Sequence, residues 1–259
     1  PSYEPYILME RNGVHIINLE ETLSGLKKAQ DFLSKVVNKN GEVLFVGTKK
    51  QAKDIVQQEA DRCGMFYVVE RWLGGTLTNY STIKKSIKRL QLLEKEGSTI
   101  YQDLTKKEIQ MLNRERVKLA DQHRGIKDMR RVPDVLVVVD ANFETTAVKE
   151  ATRLEIPVIA IVDSNTDPSL VSHVIPANDD SIRTIQLILS ALTNTILSAQ
   201  VKDVDNKNKE SDSSKSNDKA DLKESVDVNE ESALSEKKND DNDNVDDNDA
   251  TEDKAESKK

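Results

Sequence analysis

Five aspartates, Asp140, Asp163, Asp167, Asp179 and Asp180, stand at or just past the ends of short apolar runs. If those runs are strands of a parallel sheet, this is the edge that collects Mg²⁺ ligands, and converging carboxylates there would serve metal-dependent phosphotransfer. Aspartates also cap helices and close Asx turns, and Asp167-Pro168 and Asn178-Asp179 are turn signals, which favours a structural role. Gly47-Thr48-Lys49-Lys50 lies between a strand-like run and a helical one, where backbone amides can hold a phosphate. It matches neither the GxGxxG pattern nor GxxxxGK followed by Ser or Thr, and reads as a plain βα turn with two exposed lysines. His15, His123 and His173 lack metal-ligand spacing, and His15 alternates into an apolar run as a packed or capped core residue. No serine sits in a GxSxG elbow, and Cys63, the single cysteine, excludes an intrachain disulfide and a CxxC site. No catalytic residue, cofactor or metal is nominated.

A different chemistry is written between 71 and 131. The loop Arg71-Trp72-Leu73-Gly74-Gly75-Thr76-Leu77-Thr78-Asn79 joins the only tryptophan to an arginine and two glycines that permit positive φ. Trp72 either stacks on a base or plugs the loop's foot, and the burial habit of large aromatics favours the plug. Beyond it Leu77, Tyr80, Ile83, Ile87, Leu90 and Leu93 recur at threes and fours, a helix with one apolar seam. Thr78, Asn79 or Ser81 can cap its start. Lys84, Lys85, Lys88 and Arg89 fall away from the seam as an outward basic face. A second helix, about 105–122, carries Ile109, Leu112 and Leu119, with Gly97 and Ser98 in the turn between. The two predict an antiparallel helical hairpin inserted at about 78–124.

Residues 71–131 hold 15 Lys+Arg against 7 Asp+Glu. Residues 1–200 hold 27 against 26, so the positive excess is concentrated in this one segment. A charged helix face is ordinarily a solvated one, but segregation on this scale is the footprint of a phosphate backbone. Arg71, Trp72, Lys84, Lys85, Lys88, Arg89, Lys106, Lys107, Arg114, Arg130 and Arg131 are the expected RNA contacts.

These residues hang on alternating strands and helices. Residues 13–18 read as a short strand or buried entry, and an amphipathic helix through Leu23, Leu26, Phe32, Leu33 and Val36 follows. Buried strands are expected at 42–46, 66–69, 135–139 and 158–162, helices at 51–63 and 145–154, a last strand at Val174-Ile175 and a closing helix at 180–197. Alternation of this kind predicts a mostly parallel α/β sheet with right-handed crossovers. Residues 1–200 form this domain. Residues 201–259 carry 11 Lys against 20 Asp+Glu with no aromatic, Gly or Pro, and are expected to be a disordered acidic tail. The pI of about 5.1 is that tail's doing and does not argue against RNA binding by the body. The lone cysteine fits a reducing cytoplasm, and no apolar run is expected to span a membrane.

The loop at 71–79, then Ser86-Ile87-Lys88-Arg89-Leu90, Leu104-Thr105-Lys106-Lys107-Glu108, Gly125-Ile126-Lys127-Asp128-Met129 and the stretch 175–180, in that order, resemble the S-two family of bacterial small-subunit ribosomal proteins over about 6–199. The resemblance implies a Rossmann-like or flavodoxin-like sheet with a projecting coiled-coil hairpin, no catalysis, binding to small-subunit ribosomal RNA, and a docking surface for the mRNA-binding ribosomal protein built of OB-fold repeats. Two departures stand out: Arg130-Arg131 replaces a small pair before Pro133-Asp134, adding charge and a possible phosphate contact, and Ala177 stands where Gly is common. The rival readings are an Mg²⁺- or nucleotide-dependent α/β enzyme using the aspartates, and a coiled-coil interaction module that binds no RNA.

Overall fold

In the computed structural model the described residues are 3–95, 101 and 104–220, with backbone alone for 203–220. Five parallel strands, β3 (Val43–Val46), β4 (Phe66–Val68), β5 (Val135–Val139), β6 (Val158–Val162) and β7 (His173–Pro176), lie in the order β4-β3-β5-β6-β7. Counted along the sheet's own strands this is the flavodoxin-like order, whose switch point falls between β3 and β5. Every residue of β3, β5 and β6 is buried, as expected for strands covered on both faces.

Alternation within those strands builds two half-cores. Val43, Phe45, Val135, Val137, Ile159, Ile161 and Ile175 face one side, packed by α1 (Leu19–Val37), α2 (Lys53–Cys63) and α6 (Ile182–Ala220). Leu44, Val46, Leu136, Val138, Val158 and Ala160 face the other, packed by α5 (Thr145–Arg153), by Trp72 and Leu77, and by the first turns of α3 (Tyr80–Glu94). Period two along each strand assigns each half.

Several expectations need correction. The stretch 13–18 takes the short-strand alternative and is no buried entry. β1 (Ile7–Arg11) and β2 (Val14–Ile17) form a separate antiparallel pair with no buried residue, because Asn12 (φ 53) and Gly13 (φ 76) turn the chain sharply back. His15 is accordingly exposed, 4.0 Å from Glu10, and the buried histidine is His123. The last helix does not end near 197 but runs to Ala220, while 221–259 of the expected tail lie outside the described residues. Residues 182–202 of α6 are also long and apolar enough to cross a membrane by length and composition. They form a core helix, since Ile185, Leu189, Leu192 and Ile196 are buried against the sheet. Contacts divide the chain into Pro1–Lys207 and Asn208–Lys259.

After β4 the chain leaves the sheet through the loop at 70–79, passes along α3 and α4 (Lys106–His123), and returns through the turn Arg124–Ile126 to β5. As α3 ascends its partners descend α4: Ser86 Oγ lies 2.9 Å from His123 Nε2 and Arg89 Nε 3.1 Å from Glu115 Oε1. The Gly97-Ser98 turn falls outside the described residues. The return is held by contact without a side chain: a Cβ on Gly125 would stand 2.2 Å from the Tyr67 carbonyl oxygen and 2.5 Å from its ring. Gly125→Ala must therefore displace β4 or the turn, and the expected cost is about 1–3 kcal/mol, read as a lowered Tm.

Candidate nucleic-acid interface

The loop at 70–79 is organised by one carboxylate from another element. Glu150, buried on α5, accepts at Oε1 from the Trp72 indole N–H (3.1 Å) and the Gly75 amide (2.7 Å). At Oε2 it accepts from the Leu77 and Thr78 amides (3.0 and 3.1 Å) and the Thr78 hydroxyl (3.2 Å). Burial pushes the carboxyl upward, but the donors from Thr78, Gly75, Trp72 and Leu77 outweigh it and hold the group below its usual range. Gly75 supplies the turn at φ 89. Trp72 is 8% exposed, so it plugs the foot of the loop and its face is not offered for stacking.

The hairpin grows from this foot. Ile83, Ile87, Leu90 and Leu93 are buried along α3, and Tyr80 donates its hydroxyl to the Met129 carbonyl, tying the start of α3 to the returning strand. On α4 only His123 is buried, with Ile109, Leu112 and Leu119 half-buried on the seam. Thr105 and Glu108 form a capping box, the Thr105 amide donating to Glu108 Oε2 at 2.8 Å. The Thr-x-x-Glu spacing was present in the sequence and is the physical content of that motif.

The expected contact residues divide into two groups. Arg71, Lys84, Lys85, Lys88, Lys106, Lys107, Arg114 and Arg130 are exposed and make no ion pair among the described residues. Lys84, Lys88 and Arg130 line one depression of about 280 Å³ together with Lys127. Arg89 is not a free outward cation, because its guanidinium bridges to Glu115 at 3.1 and 3.2 Å and clamps α3 to α4. Arg131 donates to Asp134 (2.9 Å) and to the Asn40 carbonyl (3.0 Å), so it fastens the hairpin's exit. Trp72 belongs to the scaffold.

At the sheet's switch point, where an α/β enzyme binds its ligand, the chain supplies its own cation. Lys49 Nζ lies 3.0 Å from Asp140, 2.8 Å from Asp179 and 2.7 Å from Asp180. Its side chain is 17% exposed, so the expectation of two exposed lysines holds for Lys50 alone. Burial works against the charged ammonium, but the three carboxylates outweigh it and raise its pKa. Asp140 Oδ1 meanwhile accepts from the Asn142 and Phe143 amides, and Asp163 and Asp167 accept from Ser164 and Ser169 amides, so these aspartates serve as turn and helix caps. Glu144 holds the Thr48 amide at 2.7 Å, closing the βα turn. Cys63 is buried and its thiol is pushed up to about 11, which leaves little thiolate at neutral pH.

Two buried carboxylates with opposite shifts predict opposite pH responses. Glu150→Gln puts an amide among donors and is expected to cost about 2 kcal/mol, a fall in Tm of roughly 4–8 °C at neutral pH. Because the native carboxyl is lowered, its contribution is complete above the ordinary glutamate range and disappears as pH falls through the lowered value, so wild type and variant should converge in acid. Asp179 is raised to about 6 by burial and by Asp140 against the pull of Lys49, and its Oδ2 has no partner. Its ionisation therefore costs stability above that pH. Asp179→Asn is expected to raise Tm at neutral pH, with the gain shrinking as pH falls below about 6 and gone near the ordinary aspartate value of 3.8.

A family profile described as ribosomal protein S2 matches residues 1–199. The small ribosomal subunit protein uS2 of Chlorobium phaeovibrioides is 51% identical over 201 residues, covering 77% of this chain and 78% of that one. The protein of the same name from Acidobacterium capsulatum is 48% identical over 198 residues, covering 76% of this chain and 66% of that one. The chain belongs to the ribosomal protein S2 family, whose members are structural components and not enzymes.

Proposed function

We propose that the chain is a structural constituent of the bacterial small ribosomal subunit, placed in the cytoplasm, and that α3 and α4 form a coiled-coil hairpin gripping small-subunit ribosomal RNA. The chain supports docking of the OB-fold-repeat mRNA-binding protein during translation. The observation that carries the RNA reading is the exposure of Lys84, Lys85 and Lys88 on α3, with no acidic partner among the described residues, within a segment of 15 Lys+Arg against 7 Asp+Glu.

A second observation points the same way. Lys106 and Lys107 open α4, where the helix dipole disfavours cations. Glu108 relieves part of that conflict, and a phosphate laid across the helix start would relieve the rest. Gripping by charge and shape suits an A-form helix, whose deep major groove side chains cannot read. The filled switch point removes the support for the enzyme reading.

The test replaces Lys84, Lys85 and Lys88 together by Glu and spares Arg89, whose loss would unclamp the hairpin. Binding to small-subunit ribosomal RNA should weaken, and the log-log salt slope should become shallower by about 2, at roughly 0.7–0.9 per lost phosphate contact. Unchanged affinity and slope would refute the assignment.

A further inference from the structure

The seam of α4 faces α3, yet the opposite face of α4 is not simply solvated. Residues at spacings of three and four, Gln110, Asn113, Arg114, Lys118 and Gln122, look across a groove of about 620 Å³ at Arg71. Among the described residues none of these six side chains has a hydrogen-bond partner within the protein, whereas Arg89, Lys127 and Arg131 beyond the groove are bonded internally.

The groove's chemistry is mixed in a specific way. Arg71, Arg114 and Lys118 supply charge for a phosphate, while Gln110, Asn113 and Gln122 supply carboxamides, each able to donate and accept at once. Of the two acids in the lining, Glu70 is neutralised by Lys53 Nζ at 2.7 Å. Asp121, which has no ion pair or hydrogen bond among the described residues, can accept from an exocyclic amine, a contact that a bare phosphate backbone could not make. Val117, 52% exposed, gives the groove an apolar patch for a base.

We infer that this groove, which follows α4 for about 18 Å at 1.5 Å per residue, is a subsite for a short unpaired run of ribonucleotides, their phosphates held by Arg71, Arg114 and Lys118 and their base edges read in turn by the carboxamides and Asp121. The inference rests on the RNA reading above and deepens it: the α3 lysines hold backbone without regard to sequence, and the α4 groove reads bases. Trp72 is buried, so readout proceeds by base edges, as is usual for bases splayed out of single-stranded loops and bulges.

The experiment uses the full chain and fluorescence anisotropy with labelled oligoadenylate, oligocytidylate and oligouridylate, against an RNA duplex of matching length. At least one homopolymer should bind more tightly than the duplex. The double variant Gln110→Ala, Asn113→Ala should cut that preference about tenfold, the scale of one lost two-point base contact, while leaving duplex affinity unchanged. Both positions are exposed on a helix that accepts alanine well, so folding is preserved. The α3 triple variant should weaken single strands and duplex alike. Equal binding of every probe, or a preference that survives the double variant, overturns the subsite and leaves the RNA reading standing. Binding of no RNA at all overturns both.

Discussion

One buried carboxylate holds the basic segment in place. Glu150 gathers its donors from four residues of the loop at 72–78, and those donors have no helix or strand to satisfy them. An unpaired buried amide is costly, and an unpaired buried carboxylate costlier still, so loop and α5 are ordered by satisfying each other. The loop sets where α3 begins, and α3 sets where its cations stand. A surface made for phosphate thus depends on an interior anion more than on any contact among its own lysines.

The same economy governs the other charges. Where cations sit within reach of the body they are consumed internally: Lys49 by three aspartates, Arg89 by Glu115, Arg131 by Asp134. Those on the outer face of α3 and on the first turn of α4 have no such partner among the described residues. Position relative to the seam decides which role a basic residue takes, because a side chain beside the helix partner finds an acid there and one turned away from it does not.

Much of this was legible in the residues. Strands of continuous Val, Ile and Leu announced a sheet buried on both faces, and the threes and fours of Ile83, Ile87 and Leu90 announced α3. What escaped was pairing between residues distant in sequence. Nothing near Glu150 marks it as the acceptor for a loop more than seventy residues earlier, and Lys49 reads as an ordinary turn lysine until β5 and β7 bring Asp140 and Asp179 to it. Arg89 has the spacing of an outward cation and the length to reach around to α4. The β1–β2 pairing escaped for another reason: the short strand at 13–18 was legible, but its alternating apolar residues imitate a buried strand, and of the pair only Ile7 packs against the core.

The Lys49 cluster has a consequence for how the protein's stability is regulated. Folds of this strand order commonly hold a diffusible ligand at the switch point, and their folded population then rises and falls with the supply of that ligand by mass action. Here the counter-charge is tethered to the chain, at an effective concentration no metabolite pool can alter. The lysine that tethers β3 to the ends of β5 and β7 is therefore present at fixed stoichiometry from the moment the chain is made.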